Sequence, residues 1–116
     1  MSDLTQINFP RPYRHQEVAT GESAIIWEMN VSGGYVGFIK TVFIRFFDDT
    51  YLEFKVDGVH VEGSKIEHDL GSLDSPVKFD PPLVAHNTIR VVAFNNSSAT
   101  IDFEAKITGI LAKPKT

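Results

Sequence analysis

The chain has 116 residues, of which 42% are hydrophobic and 22% charged, and its formal net charge at pH 7 is −4. This length corresponds to one domain with a core of its own, and the acidic balance argues against nucleic acid as a partner because phosphate contacts need clustered basic side chains. The sequence contains no cysteine, which excludes disulfides, a thiolate nucleophile and Cys-ligated zinc.

Neither a secretion signal nor a membrane span is expected from the sequence. The first 15 residues lack the apolar segment of a signal peptide, and no run of about 18 apolar residues occurs anywhere in the chain. A cysteine-free chain suits assembly in a reducing cytoplasm. We therefore expect no membrane partner and a cytoplasmic site of assembly.

The two ends differ from the body of the chain. Residues 1–22 contain Pro10 and Pro12 and few periodic apolar positions, and residues 113–116 read KPKT. Such segments are typical of termini that a domain does not order by itself. The sequence therefore predicts an extended N-terminal arm over 1–22, a β domain over 23–112 and a short C-terminal tail.

The first half of the body reads as strands separated by turns. Residues 25–31 alternate with Ile25, Trp27, Met29 and Val31 on one face, and residues 34–47 are apolar on both faces, as in a strand covered on each side. Residues 51–57 alternate again before Asp57-Gly58, a dipeptide that favours a two-residue hairpin turn.

The second half gives one short helical signal and three more extended segments. Residues 65–73 have the pattern of one or two helical turns, and the proline-rich residues 74–86 indicate a crossing connection or a broken edge strand. Residues 87–96 and 100–111 are strand-like, and the NNSS between them predicts a long hairpin. Seven or eight short strands predict a single-domain, antiparallel β-sandwich, with a jelly roll as the expected arrangement.

The acidic pair Asp48-Asp49 has two interpretations. It would bind a cation or orient a sugar hydroxyl if both carboxylates converged, and paired carboxylates also perform acid and base catalysis. Neighbouring strand residues point to opposite faces, however, and Asp is a favoured turn residue. The turn is the favoured interpretation.

No pattern of catalytic or metal-binding residues is present. The four histidines, at positions 15, 60, 68 and 86, show no spacing that builds a zinc site locally. Ser97 and Ser98 lack the glycine-rich elbow of a serine nucleophile. The sequence therefore predicts a protein that is not an enzyme and needs no cofactor or metal.

The aromatic residues are more numerous than the inward positions of two strands require. One interpretation is a core that extends into a subunit interface, and it involves Phe9, Tyr13, Phe43, Phe46 and Phe47. The alternative is a sugar-stacking platform made by Trp27, Tyr35 and Tyr51 with the turn Asp48-Asp49. Phenylalanine dominates and lacks the polar group of Tyr and Trp, so the interface is favoured over the platform.

Three stretches together resemble small structural proteins of tailed bacteriophage virions. They are GYVGFIKTVFIRFFDDTYLEFKVDG (34–58), DSPVKFDPPLVAHNTIRVVAFNN (74–96) and TIDFEAKITGIL (100–111). The shared features are a glycine-aromatic strand, a VDG turn, an SP…DPP connection, a strand ending in NN and a final alternating strand. They are structural turns and carry no ligand or catalytic set, so no functional residue is transferred.

The resemblance implies a virion component, such as a head decoration protein, a head fibre or a tail accessory protein. Such proteins work as symmetric oligomers, and a trimer is the expected form. The predicted function is self-association and docking on a phage capsid or tail surface, with the virion as its final location after assembly in the host cytoplasm. The alternative is a carbohydrate-binding β-sandwich module, for which glycan is the partner.

Overall fold

A computed structural model of the protein describes residues 4–114, and within this range the chain forms β-strands and no helix. The strands are β1 Leu4–Asn8, β2 Tyr13–Val18, β3 Ser23–Asn30, β4 Val36–Ile44, β5 Thr50–Val56, β6 Val59–His60, β7 Val77–Ala85, β8 Thr88–Asn95 and β9 Ile101–Pro114. They form two antiparallel sheets that enclose one hydrophobic core. The predicted all-β antiparallel sandwich is confirmed.

The larger sheet is organised around the long strand β9. One side of β9 pairs with β4, which in turn pairs with the edge strand β7. Its other side pairs with β1 along residues 110–114 and with β2 along residues 101–106. β1 and β2 thus follow one another along the same edge. The smaller sheet has the order β3-β8-β5-β6.

The core lies between the two inner faces and follows the two-residue period of the strands. Leu52 and Phe54 of β5 face Phe103 and Ile107 of β9, and all four are fully buried. Burial of such side chains contributes about 1.5–3 kcal/mol each. The inward positions predicted for β5 and β9 are therefore confirmed.

Two seams close the sides of the sandwich. On one side, the Trp27 indole N–H of β3 donates a hydrogen bond of 2.8 Å to the carbonyl oxygen of Pro12, which precedes β2. On the other side, Ile66 forms an isolated bridge with Leu52 of β5, and Leu70 forms one with Ile44 of β4. Residues 66–70 therefore connect the two sheets, and the helical turn predicted over 65–73 is wrong. Apolar burial of Ile66 and Leu70, at 0% and 4% exposure, accounts for the extended path.

The predicted hairpin between residues 87–96 and 100–111 is also wrong. β8 belongs to the smaller sheet and β9 to the larger one, so the intervening loop crosses between the sheets. Both strands carry one apolar face, and these faces meet across the core. The alternating pattern of apolar residues identified each strand correctly, but it does not specify the sheet to which a strand belongs.

The N-terminal segment is part of the sheet. Residues 4–8 and 13–18 pair with β9, and the side chains of Phe9 and Val18 are only 4% and 2% exposed. The prediction of an arm that the domain does not order is therefore wrong for residues 4–18. β9 offers a long unpaired edge, and pairing with the N-terminal residues satisfies its backbone groups.

Two irregularities shift the predicted strand faces. A bulge between Ile25 and Trp27 places both Ile26 and Trp27 in the core, while Ile25 is 45% exposed on the outer face. The proline-rich segment 74–86 contains the edge strand β7, whose register with β4 is interrupted near Pro81 and Pro82. Proline lacks the N–H that a central strand needs, so the broken edge strand is confirmed.

Candidate functional site

The outer face of the larger sheet carries a row of apolar residues at matching register. Phe38 of β4 lies directly opposite Ile110 of β9 on one side and Val84 of β7 on the other. Their neighbours Ile39, Leu111 and Ala85 point into the core, so the row points outward. Val84 is 45% exposed, and Phe38 and Ile110 are half-buried. We call Phe38, Val84 and Ile110 the apolar row.

A cavity of about 390 Å³ lies next to the apolar row, where β1 ends and β2 has not yet begun. At this gap the N–H of Phe9 bonds the carbonyl oxygen of Gly109 at 3.0 Å, and the N–H of Ile107 bonds that of Pro12 at 2.9 Å. These two bonds pair one carbonyl and one N–H group of β9 where no regular strand covers it. The cavity is lined by Asn8, Phe9, Pro12, Lys40, Lys106, Thr108, Gly109 and Ile110.

Lys40 lines this cavity and lies at a bulge in the central strand β4. The register of β4 shifts between Ile39 and Thr41, and Lys40 is the extra residue against β9. Against β7 the same interval of β4 lies beside the four unpaired residues 79–82. Thr41 then faces outward beside Thr108, and the two hydroxyl groups are in hydrogen-bond contact. Lys40 is exposed, and Lys106, two residues before Thr108 on β9, is half-buried.

A polar network occupies the other end of the same face. The Glu104 carboxylate accepts a hydrogen bond of 2.5 Å from the Tyr13 hydroxyl and lies 3.3 Å from the Arg45 guanidinium. The hydrogen bond to Glu104 is the main cause that raises the pKa of Tyr13, and burial adds to it. Next to this group, His15 Nδ1 lies 3.1 Å from Asp102 Oδ1. The network fixes β2 on β9.

A second cavity, of about 260 Å³, adjoins the network. It is lined by Phe43, Arg45, Asp69, Gly71, Ser72, Leu73 and Glu104. Arg45 and Glu104 already bind each other there, and Asp69 Oδ1 accepts a hydrogen bond of 2.7 Å from the backbone N–H of Phe46. Arg45, Glu104 and Asp69 are therefore already bonded within the chain.

The structure does not bring the predicted interface residues together on one exposed surface. Phe9 and Phe43 are 4% and 5% exposed, and Phe46 and Phe47 are half-buried in the segment between β4 and β5. Phe47 packs edge-on against the core residue Phe103, with ring centroids 5.4 Å apart. Tyr13 is the exposed member of the set, at 42%, and its hydroxyl is bonded to Glu104. In this chain the four phenylalanines contact mainly their own domain.

The structure does not bring the predicted sugar-contacting residues together. Trp27 is 1% exposed, and the Arg14 guanidinium lies 4.4 Å from the centre of its ring. Burial is the main cause that lowers the pKa of Arg14, with the charge of Arg11 adding to it. Trp27 therefore presents no ring face to a ligand.

The remaining members of that set lie at opposite ends of β4. Tyr35 precedes the strand, whereas Asp48 and Asp49 form an exposed turn after it, with a φ of 60° at Asp49. The turn interpretation of the acidic pair is confirmed. Tyr51 stacks on Phe94 with ring centroids 4.4 Å apart, and the Lys65 ammonium lies 4.6 Å from the Tyr51 ring centre.

Within residues 4–114, no group of three or more His, Asp or Glu side chains is arranged to hold a metal ion. In the same part of the chain, no helix is long and apolar enough to cross a membrane.

Comparison of the chain with protein-family models, with curated proteins and with solved structures gives no match.

Sequence reasoning missed the residues that make this face distinctive. Lys40, Lys106 and the apolar row all occupy outward positions of strands that were identified from the sequence. The signal was present in β9, where Lys106, Thr108 and Ile110 alternate with the core residues. Their partners on β4 and β7 could not be found, because a strand pattern does not state which strands pair.

Proposed function

We propose that the protein is a non-enzymatic structural component of a phage particle, which self-associates and docks on a capsid or tail surface. The observation that carries the self-association is the apolar row on the outer face of the larger sheet. An outward apolar row on a sheet face favours association, because burying it against another surface removes apolar area from water. The phage particle enters the proposal through the sequence resemblance.

The fold supports this proposal at the level of architecture. The strand orders β2-β9-β4-β7 and β3-β8-β5-β6 place consecutive strands alternately in the two sheets, from β2 to β5 and from β7 to β9. This alternation is what we expect of a jelly roll, which builds two facing sheets from eight strands. The jelly-roll arrangement is therefore part of the proposal.

The occupant that we propose for the apolar row is another copy of the chain. A closed oligomer would cover every row and stay soluble, and the sequence resemblance makes a trimer the expected size. Several weak contacts per oligomer would then act together when it binds a repeating capsid lattice. In this proposal Phe38, Val84 and Ile110 form the interface between copies, in place of the phenylalanines that the sequence predicted for it.

The test compares two substitutions at apolar residues of equal exposure on opposite sheets. Val84 and Ile25 are each 45% exposed, on the outer faces of the larger and the smaller sheet. We expect light scattering at tens of micromolar to give an oligomer for the wild type and Ile25→Lys, and a monomer for Val84→Lys. Co-sedimentation with purified phage capsids and tails tests docking. A monomeric wild-type chain that sediments with neither particle contradicts the proposal.

A further inference from the structure

We propose that the cavity between β1, β2 and β9 is a binding site for a small organic anion, in which a phosphate or carboxylate group is attached to an apolar body. This inference goes beyond self-association, because its ligand is a small molecule and its polar contacts lie outside the apolar row. The lining residues divide into a cationic side and an apolar side, and each has a separate structural cause.

The cationic side consists of Lys40 and Lys106. No acidic residue lines the cavity, and the ion pairs present among residues 4–114 use neither lysine. The chain has 15 acidic and 11 basic residues. The cavity, with two lysines and no carboxylate, is therefore positively charged in a chain whose net charge is negative. Lysine ammonium groups bind phosphate and carboxylate as point charges.

The bulge in β4 is the second observation. Without it, strand alternation would turn Thr41 inward and away from Thr108. With it, Lys40 and Thr41 both lie on the outer face, and Thr41 pairs with Thr108. A bulge in a central strand interrupts pairing on both sides, and bulges commonly re-aim a side chain beside a functional site. Here it keeps Thr41 on the outer face beside Thr108, and Lys40, which alternation from Phe38 also turns outward, lines the same cavity as Lys106.

The apolar side comes from the break between β1 and β2. Phe9, Pro12 and Ile110 line it, while Asn8 and Thr108 add an amide and a hydroxyl that donate hydrogen bonds. Small-molecule sites are mostly apolar with a few polar groups, and a volume of about 390 Å³ falls in their range of about 300–1,000 Å³. The ligand chemistry that fits is one anionic group on a body the size of a benzene ring.

The test uses phenyl phosphate and benzoate as probes, with benzyl alcohol and inorganic phosphate as comparisons. Phe9 contacts the single tryptophan, Trp27, with ring centroids 6.4 Å apart, so tryptophan fluorescence and calorimetry on the full chain both report binding. We expect both aromatic anions, or one of them, to bind at least 10-fold more tightly than either comparison, since each lacks one half of the ligand. The preferred anion identifies the group.

Variants assign the binding to the cavity. We expect Lys40→Gln and Lys106→Gln each to weaken the anion about 10-fold, the usual effect of losing one charge-assisted hydrogen bond. Lys55→Gln is the matched control, because Lys55 is half-buried like Lys106 and lies in the smaller sheet. Equal binding of benzyl alcohol, unchanged affinity in both cavity variants, or no binding of either anion at millimolar concentration overturns the inference. The oligomer mass is a separate readout, so failure here leaves the self-association test intact.

Discussion

The side-chain amide of Asn95, at the end of β8, donates a hydrogen bond of 2.8 Å to the carbonyl oxygen of Val18 in β2. The same nitrogen bonds the carbonyl oxygen of Ala99 at 2.8 Å, and the amide oxygen accepts from the N–H and hydroxyl of Ser97. Asn95 is 0% exposed. One buried side chain therefore joins the smaller sheet, the larger sheet and the loop between them.

Replacing this amide should be costly. Asn95→Ala removes the side-chain donor to the buried carbonyl oxygen of Val18, whereas the carbonyl oxygen of Ala99 keeps the Ser97 hydroxyl as a donor. A buried group left unsatisfied costs about 1–3 kcal/mol, so we expect the free energy of unfolding to fall by about 2 kcal/mol, measured by urea denaturation. Asn96→Ala is the control, since Asn96 is exposed and its backbone N–H, which alanine retains, donates a hydrogen bond to the carbonyl oxygen of Asp49. Equal losses for the two variants contradict this role.

Asp57 should make stability depend on acid. Its carboxylate accepts hydrogen bonds from the backbone N–H groups of His86, Asn87 and Thr88, the one from Asn87 at 2.6 Å. Burial acts to raise the pKa of Asp57, but these bonds and the nearby charge of His86 outweigh it, and the pKa is lowered. A lowered folded-state pKa contributes stability above the unfolded-state value, and that contribution disappears as the pH falls through the folded-state value.

The matched pair for this test is Asp57→Asn and Asp49→Asn. Both residues occupy turns with positive φ, 54° at Asp57 and 60° at Asp49, a conformation that Asn tolerates. We expect Asp57→Asn to lower the free energy of unfolding at neutral pH by about 1–2 kcal/mol, and the difference from wild type to shrink below about pH 4. Asp49→Asn should have little effect at either pH. A difference that stays constant with pH would exclude the carboxylate as its source.

Gly109→Ala should destabilise the domain far more than Gly37→Ala. A Cβ on Gly109 would lie 2.1 Å from the carbonyl oxygen of Phe38 and 2.8 Å from the ring of Phe9, whereas one on Gly37 would meet its neighbours at 3.4 Å or more. We expect Gly109→Ala to destabilise the domain by more than about 3 kcal/mol and Gly37→Ala to change it by less than about 1 kcal/mol. Thermal unfolding followed by circular dichroism checks both. A mild effect at Gly109 would mean that β4 and β9 separate easily.

Phe9 tests whether the N-terminal segment supports the domain. Phe9→Ala removes a side chain that is 4% exposed and contacts Trp27. We expect a loss of about 3–5 kcal/mol in the free energy of unfolding and greater access of acrylamide to Trp27. Tyr13→Ala, in the same segment at 42% exposure, should cost less than about 1 kcal/mol. If the segment were a free arm, Phe9→Ala would leave the melting temperature unchanged.

Sequence patterns were sufficient for the strands and insufficient for their partners. The alternation in β5 and β9 gave the inward residues because burial on one face imposes a period of two. The bulge at Ile26 could not be predicted, because an extra residue changes the face of every later side chain without altering composition. The hairpin error at residues 95–98 has a related cause: Asn and Ser suit a tight turn and also a loop that crosses between sheets.

The same limit applies to the candidate site. The surplus of aromatic residues predicted a subunit interface at Phe43, Phe46 and Phe47, but these side chains pack within the chain. The cavity depends on the break between β1 and β2 and on the pairing of β4 with β9, and both involve strands far apart in sequence. Lys40 and Lys106 are ordinary surface residues until that pairing is known.

The position of β9 has a consequence for biosynthesis. β1 and β2 are made first, yet both pair with β9, so a ribosome must add about 80 further residues before their partner emerges. Until then β4 also lacks its partner β9, and the nascent chain exposes unpaired strand edges to which other chains can bind. Such long-range pairing is slow to form. The larger sheet is therefore completed late, and the cell must keep the half-made chain from aggregating during translation.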